Sequence, residues 1–362
     1  MGTTDLIATS LARARERLAG MSVDAALVTN IENVRWMSGF SGSSAAIVLS
    51  PSEAVFITDS RYDEQAHEQV KGFEIHVFAS PTRQAQAIGA VIHRLGLTSV
   101  SFEAEHVTFA TMNSWANDIP GIEFTPVEKM ISPLRMVKSA EEIEKIRRAC
   151  GIGDACFEHV LRMLRPGVTE YDVALDIEFF IRRQGAKIAF DVIAVSGERS
   201  ARPHGTPSER KLEVGDFVTL DFGACVDGWN SDLTRTVVIG EATDRHREVF
   251  DAVLRAEESC IAAMKPGVAA KDVDALARRI LAERDFDKYF GHGLGHGLGS
   301  AVHDVASMNP NSTDVLEPGQ VWTVEPGVYI PGFGGCRIED DVVVTSDGVE
   351  VLTHASKPFV VP

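Results

Sequence analysis

Short apolar runs alternate with segments of helical periodicity along the first third of the chain. The apolar runs have the length of buried strands, and the segments between them have the spacing of amphipathic helices. We predict strands at residues 25–29, 45–49 and 54–58, and helices at residues 62–70 and 81–95. This alternation predicts an α/β domain over residues 1–132.

A proline-containing loop follows this region. Ser139 to Glu142 then has the form of a capping box, in which serine and glutamate side chains bond the free N–H groups at the start of a helix. The box opens a long apolar-periodic segment, which we expect to end at Arg165 to Gly167 because proline and glycine stop helices. We place the domain boundary near Pro133, so that the second domain covers residues 134–362.

The second domain contains an internal repeat. The segments Met163 to Val173 and Leu212 to Gly223 recur about 100 residues later as Met264 to Val273 and Leu316 to Gly327. The first segment is a helix end, a Pro-Gly stop and a new helix, and the second is a strand that carries an acid. Two such halves are expected to pack about a pseudo-two-fold axis, which brings equivalent side chains face to face.

Acidic residues occupy equivalent positions in both copies. Asp221 lies on a strand whose alternate residues are apolar, so alternation places it on the opposite face, and Glu325 repeats this position. Asp232 and Glu339 follow, each beside a β-like run. Four carboxylates in a low-dielectric core would neutralise or need cations, and hard divalent metals meet that need. By alternation alone, Asp341 shares the face of Glu339 and is an equal candidate for a ligand.

A glycine-rich segment lies between the two halves. Residues 291–299 are Gly-His-Gly-Leu-Gly-His-Gly-Leu-Gly, and His303 follows shortly. Alternating glycines disfavour a helix, so His292 and His296 are not ligands stacked on one helix face. We expect one or more of these imidazoles to complete a carboxylate-rich site of the kind that holds two Mn, Co or Zn ions about 3.5 to 4 Å apart.

These motifs together resemble the creatinase/aminopeptidase P/prolidase family of pita-bread metallopeptidases. The resemblance rests on Asp-Phe-Gly at 221–223, Ser-Asp-Leu-Thr-Arg-Thr at 231–236, the Gly-His-Gly segment, Thr-Val-Glu-Pro-Gly at 323–327 and Arg-Ile-Glu-Asp-Asp at 337–341. It extends, more weakly, into the first domain. It implies an α+β fold, with a duplicated pita-bread catalytic domain, a curved and mainly antiparallel sheet, and a smaller N-terminal creatinase-like α/β domain.

The family pattern also implies a dinuclear metal site. The implied ligands are Asp221, Asp232, His296, Glu325 and Glu339. Asp232 and Glu339 would bridge the two ions, and only the resemblance favours Glu339 over Asp341. Manganese is the first expectation for the two divalent ions, with cobalt or zinc as alternatives. The implied activity is hydrolysis of the bond between an N-terminal residue and proline, by a prolidase or an aminopeptidase P acting on proline-containing peptides.

The resemblance assigns roles to further residues. Glu325 is implied to be the general base and His303 to stabilise the developing oxyanion. His204 and His292 are implied to line the proline pocket. Arg337 shares the strand face of Glu339, where it either pairs with a bridging carboxylate or meets a substrate carboxylate.

Composition narrows the choice of partners. Asp and Glu total 52 against 35 Lys and Arg, and the resulting net charge of −17 opposes binding to nucleic acid and anionic membranes. The 5 cysteines are scattered without a Cys-x-x-Cys pair, which favours a reducing cytoplasm. We therefore expect a cytoplasmic protein with no nucleic-acid or membrane partner, and the family resemblance adds a homodimer.

Two alternatives on the same fold stay open. One is a creatinase-like hydrolase that cleaves a C–N bond without metal, and the other is a non-catalytic peptide- or protein-binding module. Both normally lack the full ligand set, which is complete here. His-Glu-x-x-His, Gly-x-Ser-x-Gly and dinucleotide glycine motifs are absent from the sequence, which excludes zincins, serine hydrolases of the nucleophile-elbow type and NAD enzymes.

Overall fold

The computed structural model describes the backbone of residues 3–362 and the side chains from residue 7 onwards. The chain divides into two compact units, with the division between Arg135 and Met136. We predicted a boundary near Pro133, and the division in the structure follows Arg135. Within the described residues, every helix is too short or too polar to cross a membrane.

The first unit is built from a mixed sheet and helices. Its helices are α1 (Thr3–Gly20), α2 (Ile31–Ser38), α3 (Asp63–Gln69), α4 (Gln84–Arg94) and α5 (Phe109–Asp118). Its strands are β1 (Ala26–Val28), β2 (Ala45–Leu49), β3 (Ala54–Asp59), β4 (Glu74–Phe78), β5 (Ser99–Glu103) and β6 (Glu123–Val127). They lie in the order β4-β3-β2-β1-β5-β6, and β1 pairs parallel with β5. The predicted α/β architecture of this unit is confirmed.

A buried apolar layer joins this sheet to α4. Leu27, Val48 and Ile57 are fully buried on neighbouring strands, and Ile88 and Ile92 of α4 pack in the same cluster. The two isoleucines are four residues apart, so they lie on one face of the helix. The apolar runs seen in the sequence therefore form the core of the first unit.

The second unit has four α-helices among the residues that the structure describes, together with several sheets. The helices are α6 (Ala140–Val160), α7 (Glu170–Arg183), α8 (Asp244–Ala263) and α9 (Ala270–Ala282). The strands of its first half are β7 (Lys187–Ile188), β8 (Ile193–Ser196), β9 (Phe217–Phe222), β10 (Ala224–Val226), β11 (Trp229–Asn230) and β12 (Leu233–Ile239). Those of its second half are β13 (Gly295–Gly297), β14 (Asp304–Met308), β15 (Val321–Val324), β16 (Gly327–Ile330), β17 (Gly334–Arg337), β18 (Asp340–Val344), β19 (Val349–Val351) and β20 (Val360–Val361).

The strands of the second unit pair mainly antiparallel. One sheet has the order β20-β12-β9-β8 and another the order β14-β13-β15-β18-β19. In the first, β12 is antiparallel to β9 and parallel to the terminal strand β20. In the second, β15 is antiparallel to both β13 and β18. The mainly antiparallel pairing agrees with the prediction, but the hydrogen-bonded ladder is divided between these sheets instead of being continuous.

Equivalent backbone contacts appear in the two copies of the repeat. The N–H of Gly167 donates to the carbonyl of Leu212, and the N–H of Gly267 donates to the carbonyl of Leu316, both at 2.9 Å. Isolated β-bridges follow at equivalent positions, Thr169 with Lys211 and Ala269 with Val315. The Pro-Gly stops of both copies thus lead the chain into the same arrangement of helix and strand.

Helix α6 begins as predicted and ends earlier than predicted. Ser139 caps it, and the side chain of Glu142 bonds back to the Ser139 N–H at 2.7 Å. The helix ends at Val160 instead of Arg165 to Gly167. The N–H of Met163 bonds to the carbonyl of Val160, three residues earlier, which is the tighter 3₁₀ pattern found at the ends of α-helices. The extension was wrong because Pro166 disfavours helical geometry in the residues before it.

Candidate metal centre

The strands of the second unit bring the predicted acids to one side of the sheets. Val218, Leu220 and Phe222 of β9 pack in an apolar cluster, whereas Asp221 of the same strand lines a cavity. Asp221 lies opposite Thr234 in the antiparallel pair β9–β12. The alternation of side chains along β9 is therefore what turns this carboxylate away from the core.

One cavity of about 660 Å³ is lined by the five metal ligands that the family pattern implies and by the other residues to which it assigns roles. Its walls include Asp221, Asp232, His204, His292, His296, His303, Glu325, Arg337 and Glu339. The remaining walls come from backbone and side chains of Phe190 to Ile193 and Pro203 to Thr206, and from Ser307 and Asn309. Residues scattered over more than a hundred positions of the chain therefore face a common space.

Three of the predicted metal ligands are close enough to hold one ion. Within residues 3–362, the group comprises Asp232, His296 and Glu339, whose ligand atoms all lie within 4.8 Å of one another. The Nε2 atom of His296 is 3.7 Å from a carboxylate oxygen of Asp232 and 3.6 Å from Oε1 of Glu325. Asp221 is instead engaged by Arg337, whose Nη2 lies 2.5 Å from Asp221 Oδ2.

Burial makes these carboxylates costly to ionise. Desolvation raises the pKa of Asp232 well above its usual range, and the nearby charge of Glu339 raises it further. Desolvation and the charge of Glu325 do the same to the pKa of Glu339. Burial also raises the pKa of Glu325 to about 8, although Arg337 acts in the opposite direction. In their ionised forms these carboxylates would be desolvated and would repel one another, and bound cations would offset both effects.

Two carboxylate oxygen atoms of this cluster are in a state that suits cation binding. Among the described residues, neither Oδ1 of Asp221 nor Oε1 of Glu339 has a hydrogen-bond partner, although both are buried. Buried polar atoms in proteins are nearly always paired, so unpartnered carboxylate oxygens indicate a missing cation or donor. Several carboxylates with one imidazole suit hard or borderline divalent ions. The residues present fit the metal site that the family pattern implies.

His296 is held in the tautomer that a metal ligand needs. Its Nδ1 bonds to the carbonyl of Gly297 at 3.1 Å, so Nδ1 carries the proton and Nε2 faces the carboxylates with a lone pair. Its backbone N–H donates to Thr323 Oγ1 at 3.0 Å. Burial lowers the pKa of His296 to about 4, so the ring is neutral at physiological pH.

The second layer of histidines differs in its contacts. His303 packs its ring edge-on against His296, with the ring centroids 4.3 Å apart. The Nε2 of His292 accepts from the Tyr329 hydroxyl at 2.9 Å, and its Nδ1 bonds to the Gly293 carbonyl at 2.8 Å. Burial lowers the pKa of His292 to about 4. His292 thus faces the cavity as a neutral ring, and His204 also lines the cavity.

Arg337 makes more hydrogen bonds and ion pairs than were expected from the sequence. Besides the ion pair with Asp221, its Nη1 donates to Tyr329 Oη at 2.7 Å and its Nε donates to Thr234 Oγ1 at 3.1 Å. Its side chain is 4% exposed. The carboxylate that pairs with it is Asp221 and not one of the two acids expected to bridge the metals.

Three residues of this centre were not assigned from the sequence. Tyr329 of β16 links His292 to Arg337, and burial raises its pKa to about 12. Thr234 bonds the carboxylate of Glu339, and Asp341 bonds the backbone N–H of Asp232. The alternative that Asp341 itself faces the cavity is not what the structure shows, because its side chain is fully buried beneath Asp232. The sequence signals were the motifs that contain Thr234 and Asp341, whereas no motif pointed to Tyr329.

Comparisons with known proteins agree with this centre. The family model for metallopeptidase family M24 matches residues 144–346, and the model for the creatinase/prolidase N-terminal domain matches residues 11–137. The uncharacterized peptidase YqhT of Bacillus subtilis is 42% identical over 352 residues, covering 97% of this chain and 99% of that protein. An uncharacterized peptidase of Staphylococcus aureus, SAB1567, is 34% identical over 357 residues, covering 96% of this chain and all of that protein.

Solved structures share the fold over nearly the whole chain. An Xaa-Pro dipeptidase from Bacillus anthracis has a TM-score of 0.94 and 40% identity, covering 98% of this chain and 100% of that one. An X-Pro aminopeptidase from Thermotoga maritima has a TM-score of 0.86 and 35% identity, covering 96% and 100%. The prolidase from Pyrococcus horikoshii OT3 has a TM-score of 0.91 and 33% identity, covering 96% and 99%. The predicted creatinase/aminopeptidase P/prolidase resemblance and the pita-bread fold are confirmed, and the chain belongs to metallopeptidase family M24.

Proposed function

We propose that this protein is a dinuclear-metal Xaa-Pro peptidase, which hydrolyses the bond between an N-terminal residue and proline. The observation that carries the proposal is the set of buried acids around His296, two of which have unpartnered oxygens in the cavity. The fold is shared with proteins described as an Xaa-Pro dipeptidase, an X-Pro aminopeptidase and a prolidase. These relatives support the preference for proline, which the geometry alone does not specify.

The metal ligands in this proposal are the five residues implied by the family pattern. Asp232, His296 and Glu339 already form a compact group, and Asp221 and Glu325 line the same cavity. Manganese is the first expectation, and cobalt or zinc suit the same donors. When bound, such ions supply Lewis acidity that lowers the pKa of water and polarises a carbonyl group.

Glu325 is the proposed general base. With metal bound, Glu325 would be a carboxylate, which can accept a proton from the attacking water. Glu325 would then pass this proton to the proline nitrogen as the C–N bond breaks. Thr323 Oγ1 lies 3.4 Å from Glu325 Oε1 and orients the carboxylate. His303, beside His296 on the cavity wall, is the proposed donor to the developing oxyanion.

The wall residues suggest how proline would be bound. Both nitrogens of His292 are already hydrogen-bonded, so this residue offers an uncharged ring surface to an apolar pyrrolidine. The Arg337 guanidinium is largely neutralised by Asp221. His204 is therefore the better of the two candidates for a free proline carboxylate. The predicted homodimer and cytoplasmic location stay predictions.

A three-substrate assay on metal-analysed protein tests this function. An Xaa-Pro dipeptide, its C-terminal amide and an Xaa-Pro tripeptide are each compared with an Xaa-Ala counterpart. Cleavage of the proline substrates that depends on divalent metal supports the proposal, and equal cleavage of the alanine series contradicts it. Cleavage of the free dipeptide alone identifies a dipeptidase, and in that case His204→Ala should raise KM more than Arg337→Ala. Cleavage of all three identifies an aminopeptidase.

A further inference from the structure

The two proposed bridging ligands, Asp232 and Glu339, directly precede β12 and β18, and two reciprocal hydrogen bonds join these segments. Thr234 lies two residues after Asp232, and its Oγ1 donates to Glu339 Oε2 at 2.6 Å. Asp341 lies two residues after Glu339, and its Oδ2 accepts the backbone N–H of Asp232 at 2.9 Å. The residue two positions after Asp232 thus holds Glu339, and the residue two positions after Glu339 holds Asp232.

Both residues that make these bonds are buried, and the donor of each hydrogen bond is defined. Thr234 and Asp341 are both 0% exposed. Arg337 Nε donates to Thr234 Oγ1, so the threonine hydroxyl proton is left to point at Glu339. The N–H of Glu339 donates to the carbonyl of Thr234 at 3.1 Å, which adds a backbone link between the same strands. The Thr234 bond occupies one oxygen of Glu339 and leaves Oε1 unpartnered toward the ligand group.

Neither residue is placed to touch a substrate. The cavity walls include Asp232 and Glu339 but neither Thr234 nor Asp341 in the described part of the chain. Any effect of these two side chains on the reaction therefore passes through the ligands that they hold. Asp341 Oδ2 also accepts from the Cys150 thiol at 3.4 Å, and the Asp341 N–H donates to Thr353, two residues that are not among the described cavity walls.

We propose that Thr234 and Asp341 are paired positioning residues, which set the separation of the Asp232 and Glu339 carboxylates and thereby the affinity for divalent metal. The proposal rests on the metal site of the proposed function. Asp341 fixes the backbone where the chain passes from β11 into β12, and Thr234 fixes the rotation of the Glu339 carboxylate. Groups that orient metal ligands in this way contribute about 10- to 100-fold to metal affinity.

The test titrates Mn²⁺ into full-length, metal-free protein by isothermal calorimetry. Thr234→Val and Asp341→Ala each remove one side of the pair, and each is expected to weaken Mn²⁺ binding by about 10- to 100-fold. KM for an Xaa-Pro dipeptide at saturating Mn²⁺ should stay close to the wild-type value. Thr234→Ser and Asp341→Asn keep the donor and the acceptor, so each should recover most of the lost affinity. If a larger change prevents folding, Asp341→Asn decides the question, because its neutral amide oxygen accepts a weaker bond than the carboxylate does. Mn²⁺ affinity slightly below that of the wild type would then support the proposal, and affinity equal to that of the wild type would overturn it.

Two control variants separate positioning from general damage. Thr58→Val removes a fully buried threonine hydroxyl that bonds only the Ser44 carbonyl in the first unit. Cys156→Ala removes a fully buried thiol of the second unit that contacts the Ile177 carbonyl. Both should bind Mn²⁺ like the wild type. Wild-type affinity in Thr234→Val and Asp341→Ala, or an equal loss in the controls, would overturn the proposal. A wild-type protein that binds no divalent ion would instead refute the metal site and the proposed function with it.

Discussion

Asp232 is a buried carboxylate of the candidate metal centre. Its carboxylate lies 3.7 Å from His296 Nε2, its backbone N–H is held by Asp341, and burial raises its pKa. Such a group is retained in a core only if something compensates for its charge. We therefore expect Asp232→Asn to lose at least one bound metal ion and most peptidase activity. Metal analysis and kcat on the same preparation measure both.

An exposed acid provides the control for this substitution. The side chain of Asp227 is 66% exposed and pairs at 3.5 Å with Arg148, away from the cavity walls. Asp227→Asn makes the same chemical change five positions earlier and should leave metal content and kcat unaltered. Full activity and normal metal content in Asp232→Asn would refute its assignment as a ligand.

The Arg337 guanidinium compensates the negative charge of Asp221, and bound cations would do the same. Its ion pair with Asp221 is buried, and removing one partner of such a pair costs about 3 to 5 kcal/mol because it leaves an uncompensated charge. Arg337→Met should therefore lower the thermal midpoint of the metal-free protein. Divalent ions also compensate Asp221, so the deficit should shrink when Mn²⁺ is present. An equal deficit with and without Mn²⁺ would show that Asp221 is not a metal ligand.

The glycines of β13 show how an element positions a ligand. A Cβ on Gly295 would lie 2.1 Å from the backbone oxygen of Thr323, so β13 can approach β15 this closely only with glycine at 295. The next residue is His296. Gly295→Ala should push the strands apart, displace the imidazole and weaken Mn²⁺ binding, as measured by calorimetry on the metal-free protein.

The same segment contains its own control. A Cβ on Gly291 would meet nothing within 4 Å. Gly291→Ala should therefore leave Mn²⁺ affinity at the wild-type value. If Gly295→Ala also binds Mn²⁺ normally, the close approach of β13 to β15 is not what places His296.

Sequence patterns predicted those parts of the centre that depend on local geometry. Alternation along β9 was enough to turn Asp221 away from the core, and the glycines excluded a helix at His296. The contacts of Tyr329, Thr234 and Asp341 depend on the register between strands that are distant in sequence, which periodicity does not encode. This is also why alternation could not choose between Glu339 and Asp341, a choice that needed the family resemblance.

At the scale of the whole molecule, the duplication explains why so many acids share one cavity. Equivalent strands β9 and β15 each carry or lead into one acid, and the bonds at Gly167 and Gly267 show that both halves fold alike. Each half of the repeat contributes acids to the same cavity, so the duplication increases the negative charge there. The cost is electrostatic, and it is the reason that metal binding and folding are expected to be coupled in this protein.

This coupling predicts a pH dependence with a definite sign. The pKa values of Asp232, Glu325 and Glu339 are all raised by burial, so in the metal-free protein their contribution to stability is present below the unfolded values, near pH 4. It is lost as pH rises through the folded values, which for Glu325 is about 8. Metal binding needs the same groups deprotonated, whereas His296, with a pKa of about 4, is neutral over all but the acidic end of this range.

The stabilisation by Mn²⁺ should therefore grow with pH. We expect the difference between thermal midpoints measured with Mn²⁺ and with a chelator to be small at about pH 5.5 and to increase steadily to about pH 8. Titrations elsewhere in the chain are common to both measurements and cancel in the difference. The variant Asp232→Asn, which lacks one of the titrating ligands, should show a smaller increase. A Mn²⁺-dependent shift of constant size across this range would mean that the ligands are already ionised in the metal-free protein, and that cations do not relieve the repulsion among these carboxylates.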